Sequence, residues 1–524
     1  MAWSTEKARQ RIIKFKDSCP ETGMRVEDMR SFLEGARALR GGVAAGSGEL
    51  LLDIPRNRAI TTHGVHIYAN LLGFNDRLTD GGRETETSHE RSLQFLHTHY
   101  SACDQLIRAF GIQRVDFHGS RLHAVVLTPL GSENEGERIR IAMEFSAAFR
   151  EIVTRTASRF GQAYATGVRI GLDSGPAVAI DGGKRDEREP LFIGSPANHA
   201  AKYAAGDQDG IYPSPRVRAF IDSAYDLATN AVTGVSERTF VARDAASGPQ
   251  VLARRRLEDA FRAFQDEYES RHASARIVEA TFRFHHKEPP LASIQFAEHP
   301  PSNTIRMPLA SIFADIDGFT AYVDRAMQTG RVAEAVSNLH VLRAEMAAVL
   351  RDDFGGRKIR FIGDCVHGLI AEGDARETDK PQTVEQAVVT AAGIRSSFEL
   401  CQTLLPNIGE LGLSIGIELG DTPICRLGLR GTESVRCASS RATCVSEEEQ
   451  QRCNGRETAI GEVAYAEAPT PIRHAFAGGR KVSNLNTRNA RVLIGTMASP
   501  TESTAAAPMR AHLPAAPMRA HLST

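Results

Sequence analysis

Two carboxylates stand where divalent-metal chemistry could be done. Asp315 closes an apolar run, 309–316, and is followed by Gly318-Phe319-Thr320. Asp364 follows Gly363 between two further runs, 358–362 and 366–370. A strand that runs through a glycine turn into a helix presents backbone N–H groups able to hold a polyphosphate. Gly-Asp between two short strands reads as a hairpin tip. If the strands are neighbours, both carboxylates converge at one end of a sheet. Two carboxylates with phosphate oxygens are the usual means of holding Mg²⁺ or Mn²⁺. Taken singly, each Asp has a plainer reading as a cap or turn residue.

The elements that must position these residues occur twice. Residues 65–74 (VHIYANLLGF) match 310–319 (ASIFADIDGF) at an offset of 245. Residues 115–126 match 359–370 at 244, and 169–175 match 414–420 at 245. Three matches in the same order at a nearly constant offset indicate a tandem duplication. In the second copy the apolar periodicity predicts a strand at 309–316 and a helix at 332–350, then strands at 358–362 and 366–370. A helix at 384–405 and a strand at 411–417 complete it. This is the β-α-β-β-α-β order of an α+β, ferredoxin-like fold. The predicted organisation is an N-terminal helical segment 1–58, with helices at 6–16 and 26–39. A first copy 59–245, a helical linker 246–305, a second copy 306–498 and a disordered tail 499–524 follow. The tail repeats the string AAPMRAHL at 506–513 and 515–522, a composition that cannot bury a core.

The motif FADIDGFT at 313–320, followed by FIGD at 361–364, resembles the class III nucleotidyl cyclases over most of 306–460. In the first copy, 191–202 (LFIGSPANHAAK) resembles that family's segment G-x-x-V-N-x-A-x-R, with Gly194, Asn198, Ala200 and Lys202 in its slots and Lys for the usual Arg. The resemblance implies a composite site across two copies that pair head to tail as a pseudo-heterodimer. Asp315, Asp364 and the backbone carbonyl of Ile316 would hold two divalent cations, Mn²⁺ or Mg²⁺. Phe313, Gly318, Phe319 and Thr320 would line the triphosphate pocket. Asn198 and Lys202 would act on the transition state. The first copy has Asn70 where the second has Asp315, and Ser120 where it has Asp364; an amide and a hydroxyl cannot compensate a divalent ion. At the same offset Thr443 falls opposite Asn198 and Glu447 opposite Lys202. One site is thus expected to be complete, and its counterpart, with Asn70, Ser120 and Arg360, dead.

In the slots that read the base, the resemblance places Asp116 and Leu191. Adenine needs a donor to N1, which neither side chain supplies. Guanine would leave O6 facing Leu191. Asp116 can accept from uracil N3–H or from the cytosine amine. Tyr322 would narrow the pocket against purines, although a Tyr at that spacing is also an ordinary packed residue. Arg360 in the other Lys slot and the segment 433–451 resemble the pyrimidine cyclases of Pycsar antiphage systems. The implied activity is conversion of UTP to its 3′,5′-cyclic monophosphate and pyrophosphate, the product being read by a separate effector. CTP, a purine substrate and a non-catalytic nucleotide sensor stay open as alternatives.

Composition narrows the class. The 524 residues are 42% hydrophobic, enough for two cores. With 63 basic and 64 acidic residues the net charge is −1, which gives no case for nucleic-acid backbone as a partner. No apolar run reaches membrane-span length, and MAWSTEKARQ at the start is no signal peptide. The eight scattered cysteines read as reduced, mostly buried thiols of a cytoplasmic protein. The site is expected within one chain, acting as a monomer, or shared between two in a homodimer. Gly46-Ser47-Gly48 lacks the third glycine of a dinucleotide fingerprint, and no histidine spacing predicts a metal site.

Overall fold

The structure, a computed structural model, describes residues 3–39, 54–181, 190–228, 248–272, 281–428 and 434–495. The expected disordered tail and Gly46-Ser47-Gly48 lie outside the described residues. Seven strands form one sheet: β1 (Arg25–Asp28), β2 (Arg58–Leu71), β3 (Gln113–His118), β4 (Arg121–Val126), β5 (Val168–Asp181), β6 (Pro190–Ile193) and β7 (Gly210–Pro213). Eight form the other: β8 (Phe284–His285), β9 (Thr304–Asp317), β10 (Arg357–Ile362), β11 (Cys365–Ile370), β12 (Gly412–Leu427), β13 (Val435–Ala438), β14 (Glu457–Ile460) and β15 (Lys481–Ser483).

Each sheet contains the same four-stranded antiparallel centre, ordered β5-β2-β4-β3 in the first copy and β12-β9-β11-β10 in the second. The register repeats as well. Asn70 opposes Arg169 as Asp315 opposes Ser414. Asp116 opposes His123 as Arg360 opposes His367, and both hairpins carry an irregularity just before that pair.

Strand alternation sorts the residues of β9. Ala310, Ile312, Ala314 and Ile316 enter a core with helices Val332–Ala348 and Lys380–Leu404. Ser311, Phe313 and Asp315 therefore lie on the opposite face. In β2, Val65, Ile67, Ala69 and Leu71 pack likewise against helices Glu86–Phe110 and Glu135–Phe160. Asp379 starts the Lys380–Leu404 helix by accepting from Gln382 N–H at 2.9 Å, with Pro381 in the first turn.

Three expectations are corrected. Val26 is not helical: β1 pairs in parallel with β2, so the 26–39 helix shortens to Met29–Leu39. The first helix, Thr5–Ser18, is no independent segment either. It docks on the second copy, with Trp3 Nε1 donating to Ser397 at 2.8 Å and Arg11 paired to Glu345 and Asp353. Nor is 246–305 a linker alone. Helix Gly248–His272 buries Leu257, Ala260, Phe264 and Tyr268 in the first copy's core, while β8 pairs with β9. A charged helical stretch was legible there, but not the surface it would cover.

Candidate active site

Asp315 lies near the end of β9. Gly318 follows with φ +82°, the left-handed region that favours glycine, and helix Phe319–Gln328 starts on it. Asp364 occupies the β10–β11 turn after Gly363, φ +61°. Both Asp side chains keep partial exposure. They are close enough to perturb one another. Burial, then repulsion from Asp317 and Glu447, pushes the Asp315 carboxyl up to about 6. Burial and then the Asp315 charge push Asp364 well up, with Arg343 opposing. Two half-enclosed carboxylates that destabilise each other's charge suit a bound dication, which would turn repulsion into attraction. The described residues hold no cluster of three or more His, Cys, Asp or Glu placed to ligate a metal, so further oxygens would come from backbone and phosphate. The Ile316 side chain is buried in the core, which leaves only its main chain for that role.

The first copy brings its own helix to this turn. Helix Ser195–Ala204 begins after Gly194, and Asn198 donates to the Thr320 hydroxyl of the second copy. Lys202 sits one turn further on the same face and is exposed. Gly171 on β5 has no room for a Cβ against the carbonyl of Ala200, so this helix lies directly on its strand. The neighbouring face carries His199, whose Nδ1 lies 2.9 Å from Asp173 Oδ2. That face opens on a separate cavity of about 550 Å³ that includes Ser195, Tyr203 and Asp324.

The counterpart site is occupied by the protein's own groups. Ser120 donates to Asn70 Oδ1 at 2.8 Å, so the two residues in the carboxylate positions satisfy each other. Arg121 pairs with Glu447, Cys444 Sγ reaches Asn75 at 3.3 Å, and a cavity of only about 70 Å³ is left. Burial pushes the Glu447 carboxyl up, but His118 and Arg121 together outweigh it and hold it down at about 2.

Several residues sit otherwise than the sequence implied. Gly416 on β12 abuts the Ser446 carbonyl as Gly171 abuts that of Ala200, so the copies differ by one inserted residue before this helix. Cys444, not Thr443, stands opposite Asn198, and Glu448, not Glu447, opposite Lys202. Tyr322 is a core residue: it is buried, and its hydroxyl accepts from Asn338 at 2.8 Å. The Phe313 side chain stacks on His367 with centroids 4.2 Å apart instead of turning to the Gly318 loop. Phe319 packs in the same core as Tyr322, leaving Gly318, Thr320 and the main chain at the turn. Leu191 is buried in the strand–helix cluster that joins the copies. Asp116 is engaged by Arg360, which is 3% exposed. Nη1 of Arg360 donates to Asp116 Oδ1 at 2.6 Å and to the Phe117 carbonyl, and Nη2 donates to the Arg436 carbonyl. Arg360 thus belongs to an ion pair between copies and not to a dead site alone. Spacing within one copy carried no signal of that pair, nor of Asp324 and Ser195, which meet across the copies.

These features define a class III cyclase-like fold of mixed helix and sheet. In overall structure the chain is similar to a class III adenylyl cyclase-like ATP-binding protein from Pseudomonas aeruginosa, with a TM-score of 0.79 and 32% identity. The match covers 94% of this chain and 100% of that one. No family model matches. In sequence the chain is 46% identical over 494 residues to a uridylate cyclase of a Rhizobium species, covering 91% of this chain and 93% of that one. It is 36% identical over 454 residues to a uridylate cyclase of Pseudomonas aeruginosa, at 83% and 84% coverage. The chain belongs to the family of these uridylate cyclases. No described helix is long and apolar enough to cross a membrane.

Proposed function

We propose that the protein cyclises UTP to 3′,5′-cyclic UMP with release of pyrophosphate, at one composite site between its two copies acting as a pseudo-heterodimer. The observation that carries this is the contact between Asn198 and Thr320. It sets the first copy's helix over the turn that follows Asp315. Asp315, Asp364 and the Ile316 carbonyl would hold two divalent cations, Mg²⁺ or Mn²⁺, whose charge would offset the phosphates and acidify the 3′-hydroxyl. The reaction forms a bond from O3′ to the α-phosphorus and breaks that phosphorus's bond to the bridging oxygen of pyrophosphate. The 3′-hydroxyl loses its proton to solvent water. Negative charge gathers on the leaving pyrophosphate and the α-phosphoryl oxygens. The Lys202 ammonium and the Asn198 amide are donors for those oxygens. Backbone N–H groups of the 318–320 turn meet the β- and γ-phosphates.

Base choice is assigned to Asp116 and Leu191. The strand of Asp116 packs against that of Leu191, which leads into Gly194 and Asn198. Arg360 holds Oδ1 of Asp116. Guanine presents two donors side by side and suits a carboxylate with both oxygens turned to it; uracil presents one, N3–H. An ion-paired Asp116 beside an apolar Leu191 therefore favours uracil over guanine, and it denies adenine a donor to N1. Incubation of the purified protein with equal ATP, GTP, CTP and UTP and Mn²⁺, with products weighed by mass spectrometry, tests the whole reading. The expected dominant product is cyclic UMP. Cyclic AMP or cyclic GMP in excess would overturn the base assignment, and no cyclic product at all would overturn the enzyme.

The product is further proposed to be a second messenger read by a separate effector in antiphage defence, within the cytoplasm. This rests on the family resemblance, and loss of plaque protection by an Asp315→Ala chain in a host carrying the effector is its check.

A further inference from the structure

An α-helix leaves its first four N–H groups without partners inside the helix. Helix Ser195–Ala204 has Gly194 before it, with φ +131° and no side chain to cap it. The missing acceptor comes from the other copy. Ser195 N–H donates to Asp324 Oδ1 at 3.1 Å, and the Ser195 hydroxyl donates to the same carboxylate. Asp324 lies on helix Phe319–Gln328, one turn beyond Thr320, which accepts from Asn198. The two helices are thus pinned at two points, a turn apart on each.

The related position in the other half shows what is particular here. Arg441 N–H, the first of helix Arg441–Gln451, donates to Glu84 Oε1 at 2.7 Å from the opposite copy. That helix also has its own cap: Ser440 accepts from Thr443 N–H, and Thr443 reaches back to Ser440 in a capping box. A carboxylate supplied in trans therefore meets the first N–H in both halves, but only at Ser195 is it the sole side-chain cap.

We propose that Asp324 is a positioning residue for cyclisation. From the copy that holds Asp315 and Asp364, it caps the helix that carries Asn198 and Lys202 and so fixes both over the 318–320 turn. The negative charge also suits the positive end of the helix dipole. Without it the first turn frays, and Asn198, the fourth residue of that helix, loses its fixed direction. The proposal rests on the cyclase reading above.

The test compares wild type with Asp324→Ala, Asp324→Asn and Glu84→Ala, in steady-state kinetics with UTP and in hydrogen exchange of the segment 195–201. Asp324→Ala is expected to lower kcat about tenfold, the factor that one helix cap is worth, with KM little changed. It should also speed exchange at 195–199. Asp324→Asn keeps an acceptor oxygen and should retain most of both. Glu84→Ala should leave kcat near wild type, since Ser440 still caps its helix. In an Asn198→Ala background, Asp324→Ala should cost less than it does in wild type, because the direction of a missing amide is immaterial and only Lys202 is left to lose its place. Unchanged exchange at 195–199, or a full additive loss in the double variant, overturns the proposal. If wild type forms no cyclic nucleotide, the reaction is misassigned, while the exchange data still decide whether Asp324 caps the helix.

Discussion

Replacing Arg360 by methionine should unlock the two copies. The guanidinium is 3% exposed and serves three acceptors: the carboxylate of Asp116 and the carbonyls of Phe117 and Arg436. Two of the three belong to the other copy. Removing one partner of a buried ion pair costs about 3–5 kcal/mol, mostly because the other charge is left behind. The Asp116 side chain is 24% exposed, so water recovers part of this and the lower figure, about 3 kcal/mol, applies. Each carbonyl left without its donor adds about 1 kcal/mol, and methionine restores most of the lost packing. The expected loss is thus about 4–5 kcal/mol. Urea unfolding followed by circular dichroism and by the single tryptophan reads it. That residue, Trp3, reports on the helix docked against the second copy. Asp116→Leu with Arg360→Met, which removes both charges, should recover about half of the loss. Arg360→Met should also raise the GTP-to-UTP ratio of products, since Asp116 regains an oxygen. A variant within about 1 kcal/mol of wild type would show that the pair does not hold the copies together.

Mn²⁺ at about a hundred times its Kd should stabilise wild type by about 2.7 kcal/mol and leave Asp315→Ala and Asp364→Ala unmoved in thermal unfolding and without activity. Equal stabilisation of these variants would place the metal elsewhere. Asn198→Ala and Lys202→Ala should each lower kcat by ~10²–10³, whereas Asn70→Ala and Ser120→Ala should change only stability, by about 1 kcal/mol for their shared hydrogen bond. Mixing Asp315→Ala with Asn198→Ala chains should restore no activity if the site lies within one chain, and recovery would mean that chains exchange copies. Stability should fall in acid for a reason in the core. Burial holds His66 down at about 3 and His99 at about 4, and the ordinary value near 6.5 returns on unfolding. Their neutral forms support the fold fully above pH about 6.5. Below it the unfolded chain takes up protons that the folded chain refuses, at about 1.4 kcal/mol per pH unit for each histidine. Unfolding midpoints unchanged between pH 7 and 5 would refute this.

How much of this was legible in the sequence follows from where the signals are local. The duplication was visible because strand ends retain particular residue types: Gly171 and Gly416 must admit a helix backbone, and Asp315 and Asn70 hold one register position. The places of Asp315 and Asp364 were legible for the same reason, each being fixed by its own turn. The inserted residue before helix Arg441–Gln451 was not, because an extra residue in a connection leaves no mark on the periodicity of either neighbour. Tyr322 misled because its hydroxyl partner, Asn338, comes from a different helix. Asp324 carried no local signal, because its partner Ser195 is more than a hundred residues away in the chain. A charged helical stretch does not announce the few apolar residues that dock it, which is why Gly248–His272, with Leu257, Ala260, Phe264 and Tyr268 in the first copy's core, read as a linker.

The Asp116–Arg360 pair shows what duplication makes possible. The two residues occupy equivalent positions, each opposite the corresponding histidine of its own hairpin, yet they meet each other across the copies. In a symmetric dimer of one repeated domain, such a position faces itself, and a charge there repels its own image. Once both domains lie in one chain, the positions can differ, and repulsion becomes a buried ion pair at 2.6 Å. The same freedom separates Asp315 from Asn70 and Asp364 from Ser120. Each loss in the first copy removes a carboxylate that would need its own cation, and the vacated position is satisfied by Ser120 donating to Asn70. Opposite charges at Asp116 and Arg360 also oppose exchange of copies in the wrong order, because pairing two like halves would set Asp116 against Asp116 or Arg360 against Arg360. The asymmetry that sets Asn70 and Ser120 against Asp315 and Asp364 thus goes with an ion pair that stabilises the observed pairing of unlike halves.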